Sequence, residues 1–354
     1  MRYTPISRRA VVIGGLSVAA AAGFARAQQL AKVLIAVYAG QDVQLWDRVV
    51  AQPFSKDAPF QVEIFESPMP AVAVAQAAGA PPFSLALMNA AQAYDLHLRS
   101  LLTELTEADV PAIKAIPKSM WPVTKTGRIL GVPVHFSLYV IAYNTEFAKA
   151  GDFASWNALI DRKWSNQVSL TRPAILARND LILFSKIFGG SDTNVDPGYA
   201  FIRKLAANAL NVYTSMASLM SQMGRGEVVA APFFYDEIMH LHHQGVKNID
   251  FVVPAEGALV IPYLVAIPKG ARNSEEAKKL LNALVEPKYQ VPFLVESGLL
   301  PTNPSVALPP AIEKSLGGNL DAVIARNVTA DWAVVAANLE ARTRKVEEII
   351  NQAK

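Results

Sequence analysis

The chain of 354 residues contains no cysteine. This absence excludes disulfides, thiolate metal sites and thiol nucleophiles, so the fold has to be stabilised by packed cores. Charge is also scarce, since Asp, Glu, Lys and Arg make up only 18% of the sequence. Residues 1–27 contain four arginines and no acid, and without them 29 basic residues face 30 acidic ones. A net charge near −1 gives no reason to expect nucleic acid or an anionic membrane surface as a partner.

Long hydrophobic runs are missing as well. The apolar run at 11–22 is shorter than the roughly 20 residues that a membrane-spanning helix needs. It lies between the pair Arg8-Arg9 and Ala25-Arg26-Ala27, which is the small-x-small pattern of a cleavage site. We therefore predict an export signal over 1–27 that is cleaved after Ala27, a periplasmic mature protein, and no stable membrane insertion of the mature chain.

The arginine pair carries a second expectation. Its context, Ser7-Arg8-Arg9-Ala10-Val11-Val12, resembles the twin-arginine export motif. Such a signal implies that the protein crosses the inner membrane already folded. An ordinary secretory signal is the alternative, and it leads to the same compartment.

The 327 residues after the signal are more than one hydrophobic core usually supports, so two domains are expected. In the first part, apolar strand-like runs alternate with segments of helical periodicity. The strands fall at 33–37, 61–65 and 85–88, and the helices at 43–50 and 71–78. This βαβαβ order predicts a largely parallel sheet with helices on both faces.

The segment 131–145 is different because two extended runs, 132–136 and 138–143, follow each other closely. A strand of this length suggests a crossing from one part of the molecule to another, and a second α/β set follows it. Its strands are expected at 168–170, 211–213, 228–231 and 251–253, and its helices at 174–188, 199–207, 216–223 and 237–243. The chain then crosses back with a buried strand at 263–267, followed by helices at 273–284 and 330–353.

Short motifs along the mature chain carry a family likeness. They are Tyr38-Ala39-Gly40, Pro53-Phe54-Ser55-Lys56, Gly131-Val132-Pro133, Ala142-Tyr143-Asn144-Thr145, Ser155-Trp156, Gly226-Glu227-Val228, Val253-Pro254-Ala255-Glu256-Gly257, and Ala266-Ile267-Pro268-Lys269-Gly270-Ala271-Arg272-Asn273. In this order and spacing the chain resembles the extracellular solute-binding proteins of ABC importers. It is most similar to the branch that contains polyamine, thiamine and ferric-iron binders.

The resemblance implies an α/β fold of the type II periplasmic-binding-protein class. Two lobes, each a mainly parallel sheet flanked by helices, would be joined by two crossing strands. We expect lobe 1 at 28–139 plus 264–318, lobe 2 at 140–263, and C-terminal helices at 319–354 that pack on a lobe. The resemblance further implies a monomer without cofactor that delivers a small solute to an ABC permease and its ATPase in the inner membrane.

The ligand site of an open α/β sheet lies beyond the carboxyl ends of its strands, where helix N-termini offer free N–H groups. Polar and aromatic side chains stand at several such ends or on the crossing strands. The candidate ligand-binding residues are Tyr38, Gln41, Asn89, Phe136, Ser137, Thr171, Arg172, Phe234, Tyr235, Asp236 and Tyr263, and Glu66 is a further acid that could face the cleft.

Departures from the family pattern bear on the ligand. Polyamine binders hold ammonium groups with carboxylates and stack the alkyl chain on aromatic rings. The loop that carries acidic clamps in those relatives is here Thr171-Arg172-Pro173, and the return strand has Ile261-Pro262-Tyr263 in place of a tryptophan and an aspartate. An arginine facing the cleft suits a carboxylate or phosphate, so an anionic or zwitterionic solute is predicted. A polyamine remains an alternative, and so does an Arg172 that points to solvent or pairs with a nearby acid.

A metal site and an enzyme are the competing classes. Asp236, His240 and His243 have the spacing of one helix face, with His242 beside them, which could bind zinc. The family likeness instead puts this helix on the outer face of the second lobe. A ferric site would need neighbouring tyrosines, and Phe233-Phe234-Tyr235 offers one phenol. We predict no catalytic residues and no enzyme, because the hydrolase, phosphate-loop and dinucleotide motifs are missing. His135, near the predicted cleft, is expected to be a hydrogen-bonded hinge residue.

Overall fold

The computed structural model describes residues 31–213 and 215–353. The predicted export signal at 1–27 lies outside the described residues. Ten strands are found: β1 (Lys32–Tyr38), β2 (Gln61–Ser67), β3 (Leu85–Asn89), β4 (Val132–Asn144), β5 (Ser169–Leu170), β6 (Asn211–Val212), β7 (Ala230–Phe234), β8 (Ile249–Val252), β9 (Leu259–Ala266) and β10 (Leu300–Pro301) among the described residues.

The α-helices lie between these strands and after them. They are α1 (Gln41–Trp46), α2 (Gln52–Asp57), α3 (Pro70–Ala77), α4 (Ala90–Leu98), α5 (Pro173–Ile175), α6 (Leu181–Ile187), α7 (Asp196–Asn208), α8 (Met216–Gly224), α9 (Tyr235–His243), α10 (Ser274–Ala283), α11 (Pro287–Ser297), α12 (Pro310–Leu316), α13 (Leu320–Arg326) and α14 (Trp332–Ala353). Two π-helical segments, Asp47–Ala51 and Leu176–Asp180, continue α1 into α2 and α5 into α6. Short 3-10 turns occupy Pro111–Ala115, Lys118–Met120, Ala150–Phe153, Trp156–Ile160 and Arg162–Trp164.

One large mixed sheet organises the described residues, with strands in the order β10-β4-β9-β3-β1-β2 and with β7 and β8 also paired to β4. Helical connections make β1 parallel to both β2 and β3. The α/β fold predicted from the sequence is confirmed. The crossing strands differ from the predicted parallel pattern, because β9 runs antiparallel to β3 and β4, and β7 and β8 run antiparallel to β4.

The two extended runs predicted at 132–136 and 138–143 form the single strand β4, and all 13 of its residues are buried. Its first half pairs with β9 and β10, and its second half pairs with β7 and β8. The register shifts between Pro133 and His135, which fits a residue that has no N–H to donate to the ladder. Strand β4 therefore connects two differently built parts of the molecule.

Two hydrophobic cores lie on the opposite faces of the sheet, because successive side chains of a strand point to opposite sides. Val33, Ile35 and Val37 of β1 belong to one core, while Ala36 belongs to the other. Along β4, Leu138 and Val140 alternate in the same way with Tyr139 and Ile141. With both faces covered, the strands read as near-continuous apolar runs, which is why the sequence pattern located them.

The predicted C-terminal helix at 330–353 is present as α14. It packs against α4, α5 and α7 and against the π-helical segment Leu176–Asp180. Its buried apolar residues in the second core are Trp332, Val335, Val346, Ile349 and Ile350. Among the described residues, none of the helices combines the length and the apolar character that crossing a membrane requires.

Candidate functional site

A cavity of about 640 Å³ opens where the carboxyl ends of β1 and β3 face the start of α9 and the helical segment after β5. Seven of the eleven predicted site residues line it: Tyr38, Gln41, Asn89, Arg172, Phe234, Asp236 and Tyr263. The volume suits a small organic molecule. The structure thus brings together residues that are more than 200 positions apart in the chain.

One wall is a hydrogen-bonded network at the ends of β1 and β3. The hydroxyl of Tyr38 donates to Gln92 Oε1 at 3.0 Å, and the same oxygen accepts from the Asn89 backbone N–H at 3.0 Å. Asn89 Oδ1 in turn accepts from the Gln92 backbone N–H at 3.0 Å, which completes a capping box at the start of α4. Burial raises the pKa of Tyr38 to about 12, so its phenol is neutral and stays a donor.

The opposite wall carries two arginines. Arg172 is exposed at the start of α5, and Arg178 is partly buried in the π-helical segment that follows. Among the described residues, neither guanidinium forms an ion pair within 4.0 Å of a carboxylate. Arg178 Nε donates to Asn179 Oδ1 at 3.2 Å, which leaves its remaining N–H groups for the cavity. Burial lowers the pKa of Arg178, although an arginine keeps its charge under these conditions.

Three carboxylates, of Asp42, Asp236 and Glu237, line the same cavity. Burial raises the pKa of Asp42 to about 7, and the nearby charge of Asp236 adds to the effect. Burial also raises the pKa of Glu237 to about 7, together with the charges of Asp236 and Asp42. The pKa of Asp236 is raised by burial as well, although its Oδ1 accepts a hydrogen bond from the Ser137 hydroxyl. The cavity therefore holds carboxyl groups that keep protons near neutral pH.

His135 and a group of rings form the base of the cavity. The imidazole of His135 lies 5.4 Å from the Tyr263 ring, 5.5 Å from Phe293 and 6.2 Å from Trp46, measured between ring centroids. Burial lowers the pKa of His135 to about 3, so the ring is neutral. The sequence predicts a hydrogen-bonded hinge residue; His135 lies on the long strand β4, and its Nδ1 has no hydrogen-bond partner among the described residues.

Four predicted site residues do not line the cavity. Phe136 is fully buried in a core, because its neighbour His135 faces the cavity and successive residues of a strand alternate. Ser137 reaches the site indirectly through its bond to Asp236. Thr171 is fully buried, and Tyr235 packs edge-on against Phe251 with ring centroids 5.0 Å apart. Glu66 is exposed and accepts from the Gly40 N–H at 3.4 Å.

Sequence reasoning missed Asp42, Gln92, Arg178 and Glu237. Gln92 could have been found, because Asn89 followed three residues later by glutamine is a capping-box signature. Asp42 and Glu237 directly follow the predicted residues Gln41 and Asp236 in the first turns of α1 and α9. Arg178 carried no signal, since a π-helical turn has none that a single sequence reveals.

The placement of α9 corrects an expectation. The family likeness put this helix on the outer face of the second lobe, but its first two turns line the cavity with Asp236, Glu237 and His240. The reason is that β7 ends directly at the cavity and α9 begins at Tyr235, two residues earlier than the sequence suggested.

The alternative of a zinc site on α9 finds no gathered ligand set. Within residues 31–213 and 215–353, no three His, Asp or Glu side chains are close enough to hold a metal ion. His240 Nε2 instead contacts Gln244 Nε2 at 2.6 Å, and His242 Nε2 contacts the Ile249 carbonyl at 2.8 Å. Asp236 is engaged by Ser137.

The family follows from comparison with known proteins. The family model for bacterial extracellular solute-binding proteins matches residues 50–316, and the chain belongs to that family. The recognition made from the short motifs is thereby confirmed.

Individual relatives and structures resemble the chain less completely. A periplasmic protein of Salmonella typhimurium, provisionally named as a 2-aminoethylphosphonate binder, is 29% identical over 217 residues, which are 58% of this chain and 62% of that protein. The spermidine/putrescine-binding periplasmic protein 1 of Haemophilus influenzae is 28% identical over 195 residues, which are 53% of this chain and 52% of that protein. The chain thus matches less than two thirds of the length of these relatives.

The fold is shared with solved solute-binding proteins. The ABC transporter substrate-binding protein of Bradyrhizobium japonicum USDA 110 superposes with a TM-score of 0.72 at 19% identity, over 90% of this chain and 99% of the other. At 19% identity this similarity supports only a shared two-lobed architecture.

Proposed function

We propose that this chain is the periplasmic receptor of an ABC importer. It captures a small anionic or zwitterionic organic solute in the cavity and delivers it to the inner-membrane permease and its ATPase. In this proposal residues 1–27 are a cleaved export signal, the mature protein acts as a monomer, and it turns over no substrate. Family membership supports the receptor role, and the cavity chemistry supports the choice of solute.

The observation that carries the proposal is the pair Arg172 and Arg178 on one cavity wall. A guanidinium has five N–H donors in a fork that matches the two oxygens of a carboxylate or phosphonate. Arg178 is partly buried and has its Nε bonded to Asn179, so its side chain is held in place before a ligand arrives. Preorganisation lowers the ordering cost of binding. The provisional name of the Salmonella relative, an aminophosphonate binder, is consistent with this chemistry.

The lobe boundaries enter the proposal as well. We place lobe 1 at 28–139 plus 264–318 and lobe 2 at 140–263, with the cavity between them. Support comes from β4, whose pairing partners change from β9 and β10 to β7 and β8 near Tyr139. The arginines and α9 would then belong to lobe 2, and Tyr38, Asp42 and Asn89 to lobe 1.

A polyamine is the second candidate solute. The specific observation in its favour is the set of carboxylates of Asp42, Asp236 and Glu237 in the cavity wall. A desolvated ammonium needs such partners. Against it stand the two arginines, which would repel a solute that carries only positive charge.

The function is tested by a thermal-shift screen of the mature chain with carboxylates, phosphonates, amino acids and polyamines, followed by calorimetry on Arg172→Ala and Arg178→Met. A ligand that binds only the folded state raises Tm. We expect an anionic or zwitterionic solute to stabilise the protein, and Arg178→Met to weaken its binding by about 1.5–3 kcal/mol, the usual size of a charged hydrogen bond. Arg172→Ala should cost less, because Arg172 is exposed.

Three results would contradict the proposal. Stabilisation by putrescine or spermidine alone would favour the polyamine candidate, and unchanged affinity in both arginine variants would remove the anion role. Chemical conversion of a bound solute would make the protein an enzyme instead. An exposed arginine outside the cavity, Arg99, supplies the control: Arg99→Ala should leave binding unchanged.

A further inference from the structure

Acidic and basic side chains are kept apart within the cavity. The charged and polar neighbours that shift the pKa values of Asp42, Asp236 and Glu237 include no arginine. Those acting on Arg178 are Tyr263, Tyr38, Tyr139 and Arg172, with no carboxylate among them. The arginines come from the helical segment after β5 and the carboxylates from the first turns of α1 and α9, and among the described residues no ion pair within 4.0 Å joins the two sets, so the cavity has an arginine end and a carboxylate end.

Two phenols lie between these ends. The charge of Arg178 lowers the pKa of Tyr38, and the charge of Asp42 raises it. The charges of Asp236 and Glu237 raise the pKa of Tyr263, and the charge of Arg178 lowers it. Both phenols are neutral because burial raises their pKa, so neither supplies a counter-charge to the carboxylates. Their rings offer flat apolar surface for the middle of a solute that reaches both ends.

The elements around the carboxylate end bring no cation to it. Helix α9 contributes His240, whose pKa is lowered by burial and by His243, so that it is neutral at neutral pH. Strand β4 contributes His135, whose pKa burial lowers to about 3, and α11 contributes the uncharged Ser297. Among the described residues, no Lys, Arg or His lies within 4.0 Å of the Asp42, Asp236 or Glu237 carboxylates.

A second observation in the same cavity is the imidazole of His135, which lies on β4 two residues from Ser137, the hydrogen-bond donor to Asp236. It is 2% exposed, it lines the cavity, and its Nδ1 has no partner among the described residues. A buried polar atom without a partner costs free energy that a ligand can recover. The carboxylates lack a cation, and the neutral imidazole lacks a partner. Together they suit a group that donates several hydrogen bonds.

We propose that Asp42, Asp236 and Glu237 form a subsite for a primary ammonium group, and that filling this subsite releases protons from the cavity. The inference rests on the proposed function and names the solute class more closely: one end carries an acid group, the other an amine. An ammonium offers three N–H donors and a full charge, which matches three carboxylates that line one cavity. The bound amine stabilises the ionised carboxylates, so the protons that these groups hold before the amine binds leave to solvent.

The sign of the pH dependence follows. The folded-state pKa values of Asp42 and Glu237 are raised, so below about pH 7 these groups are neutral and attract an amine weakly. Above about pH 7 they are charged and attract it strongly. The amine keeps its proton throughout this range, since an alkyl ammonium such as that of lysine titrates near 10.4. Amine affinity should rise with pH and level off once the cluster is ionised.

The test compares 2-aminoethylphosphonate with ethylphosphonate, which has the same acid group and no amine. Isothermal titration at pH 7 in two buffers of different ionisation enthalpy gives the number of protons released by each. We expect 2-aminoethylphosphonate to bind at least about tenfold more tightly and to release about one proton more. Asp42→Asn and Glu237→Gln should each remove about tenfold of this preference, the equivalent of one pKa unit, by weakening the binding of 2-aminoethylphosphonate and not that of ethylphosphonate. Glu63→Gln, at an exposed acid of β2, is the matched control.

The outcomes separate the two proposals. Equal affinity and equal proton release for the two phosphonates would overturn the amine subsite and leave the anion receptor intact. An undiminished preference in both carboxylate variants would do the same. If neither phosphonate nor putrescine binds, the subsite fails, and the proposed function fails with it only when the carboxylates and amino acids of the thermal-shift screen do not bind either. Binding of putrescine that is abolished by Glu237→Gln, with no binding of ethylphosphonate, would support the subsite and overturn the anion role.

Discussion

At the scale of the residue, Asp180 is the most unusual acid outside the cavity wall. Its side chain is fully buried, and Oδ2 accepts a hydrogen bond from the Tyr139 hydroxyl at 2.9 Å. Its Oδ1 has no partner among the described residues. Burial raises the pKa of Asp180 to about 8, so the folded protein holds this carboxyl in its neutral form near neutral pH. The residue connects β4 to the π-helical turn that carries Arg178.

We predict that Asp180 makes the protein less stable as pH rises. In the unfolded chain the carboxyl ionises near its ordinary pKa of about 3.9, whereas the folded state delays ionisation to about 8. Between these pH values the unfolded state holds fewer protons than the folded state. The contribution of Asp180 to the free energy of unfolding therefore falls by a few kcal/mol as pH rises, and it levels off above the folded-state pKa. Asp180→Asn removes the titration and should flatten this part of the profile. Urea unfolding at about pH 5 and about pH 8 measures the change in the free energy of unfolding in both proteins.

The comparison of variants isolates Asp180 from other titrating groups. His135 and the cavity carboxylates titrate in both proteins and cancel in the difference. Asp95→Asn, at an exposed acid paired with Arg99, should reproduce the wild-type profile. An identical pH dependence in Asp180→Asn and the wild type would show that Asp180 is ionised in the folded state.

At the scale of the element, the position of α9 depends on its neighbour α11. Gly298 ends α11 with φ of 75°, in the left-handed region that favours glycine. A Cβ atom added there would lie 2.4 Å from Met239 Cβ, an atom close to the α9 backbone. The residues on either side, Ser297 and Leu299, line the cavity. The close approach at Gly298 therefore sets where α9 presents its carboxylates.

We predict that Gly298→Ala lowers both stability and solute affinity. The left-handed conformation costs a residue with Cβ about 1–2 kcal/mol, and the contact with Met239 can be relieved only by moving α9 or α11. A displaced α9 carries Asp236 and Glu237 away from the solute. Urea unfolding and calorimetry on the same preparation measure the two effects.

Gly317 offers a matched control. It ends α12 with φ of 76°, and its added Cβ would meet the flexible end of Arg326. Gly317→Ala should therefore show the conformational cost without the loss of affinity. Equal affinity in the two variants would mean that the α9–α11 contact does not position the carboxylates.

The secondary-structure elements differ in how well the sequence alone predicts them. Buried strands such as β1 and β3 were predicted within a residue or two, because runs of Val, Ile, Leu and Ala bounded by polar residues are strong local signals. The register of β4 with β7 and β9 and the π turn at Leu176–Asp180 depend on packing between distant segments, and no local signal carries them. For the same reason Arg172 was predicted to face the cavity and Arg178 was not.

At the scale of the whole molecule, the cavity is built from parts that β4 and β9 connect. Tyr38, Asn89 and Asp42 come from the part before β4, whereas Arg178 and α9 come from the part after it. Helix α14 packs against α4 in the first part and against α5 and α7 in the second. Any change in the angle between the parts must therefore be accommodated by α14 as well as by the two strands.

We predict that a bound solute makes the protein more compact. A ligand shifts an equilibrium between open and closed states only by its different affinity for the two, and a solute that spans the arginine and carboxylate ends gains its full contacts when both walls are close. Small-angle scattering should therefore show a smaller radius of gyration with 2-aminoethylphosphonate at saturation than without it. Ethylphosphonate, which cannot reach the carboxylate end, should produce a smaller change at equal saturation. An unchanged radius with the cavity filled would mean that the two parts form one rigid receptor. Closure would then have no share in the proposed delivery of the solute to a permease.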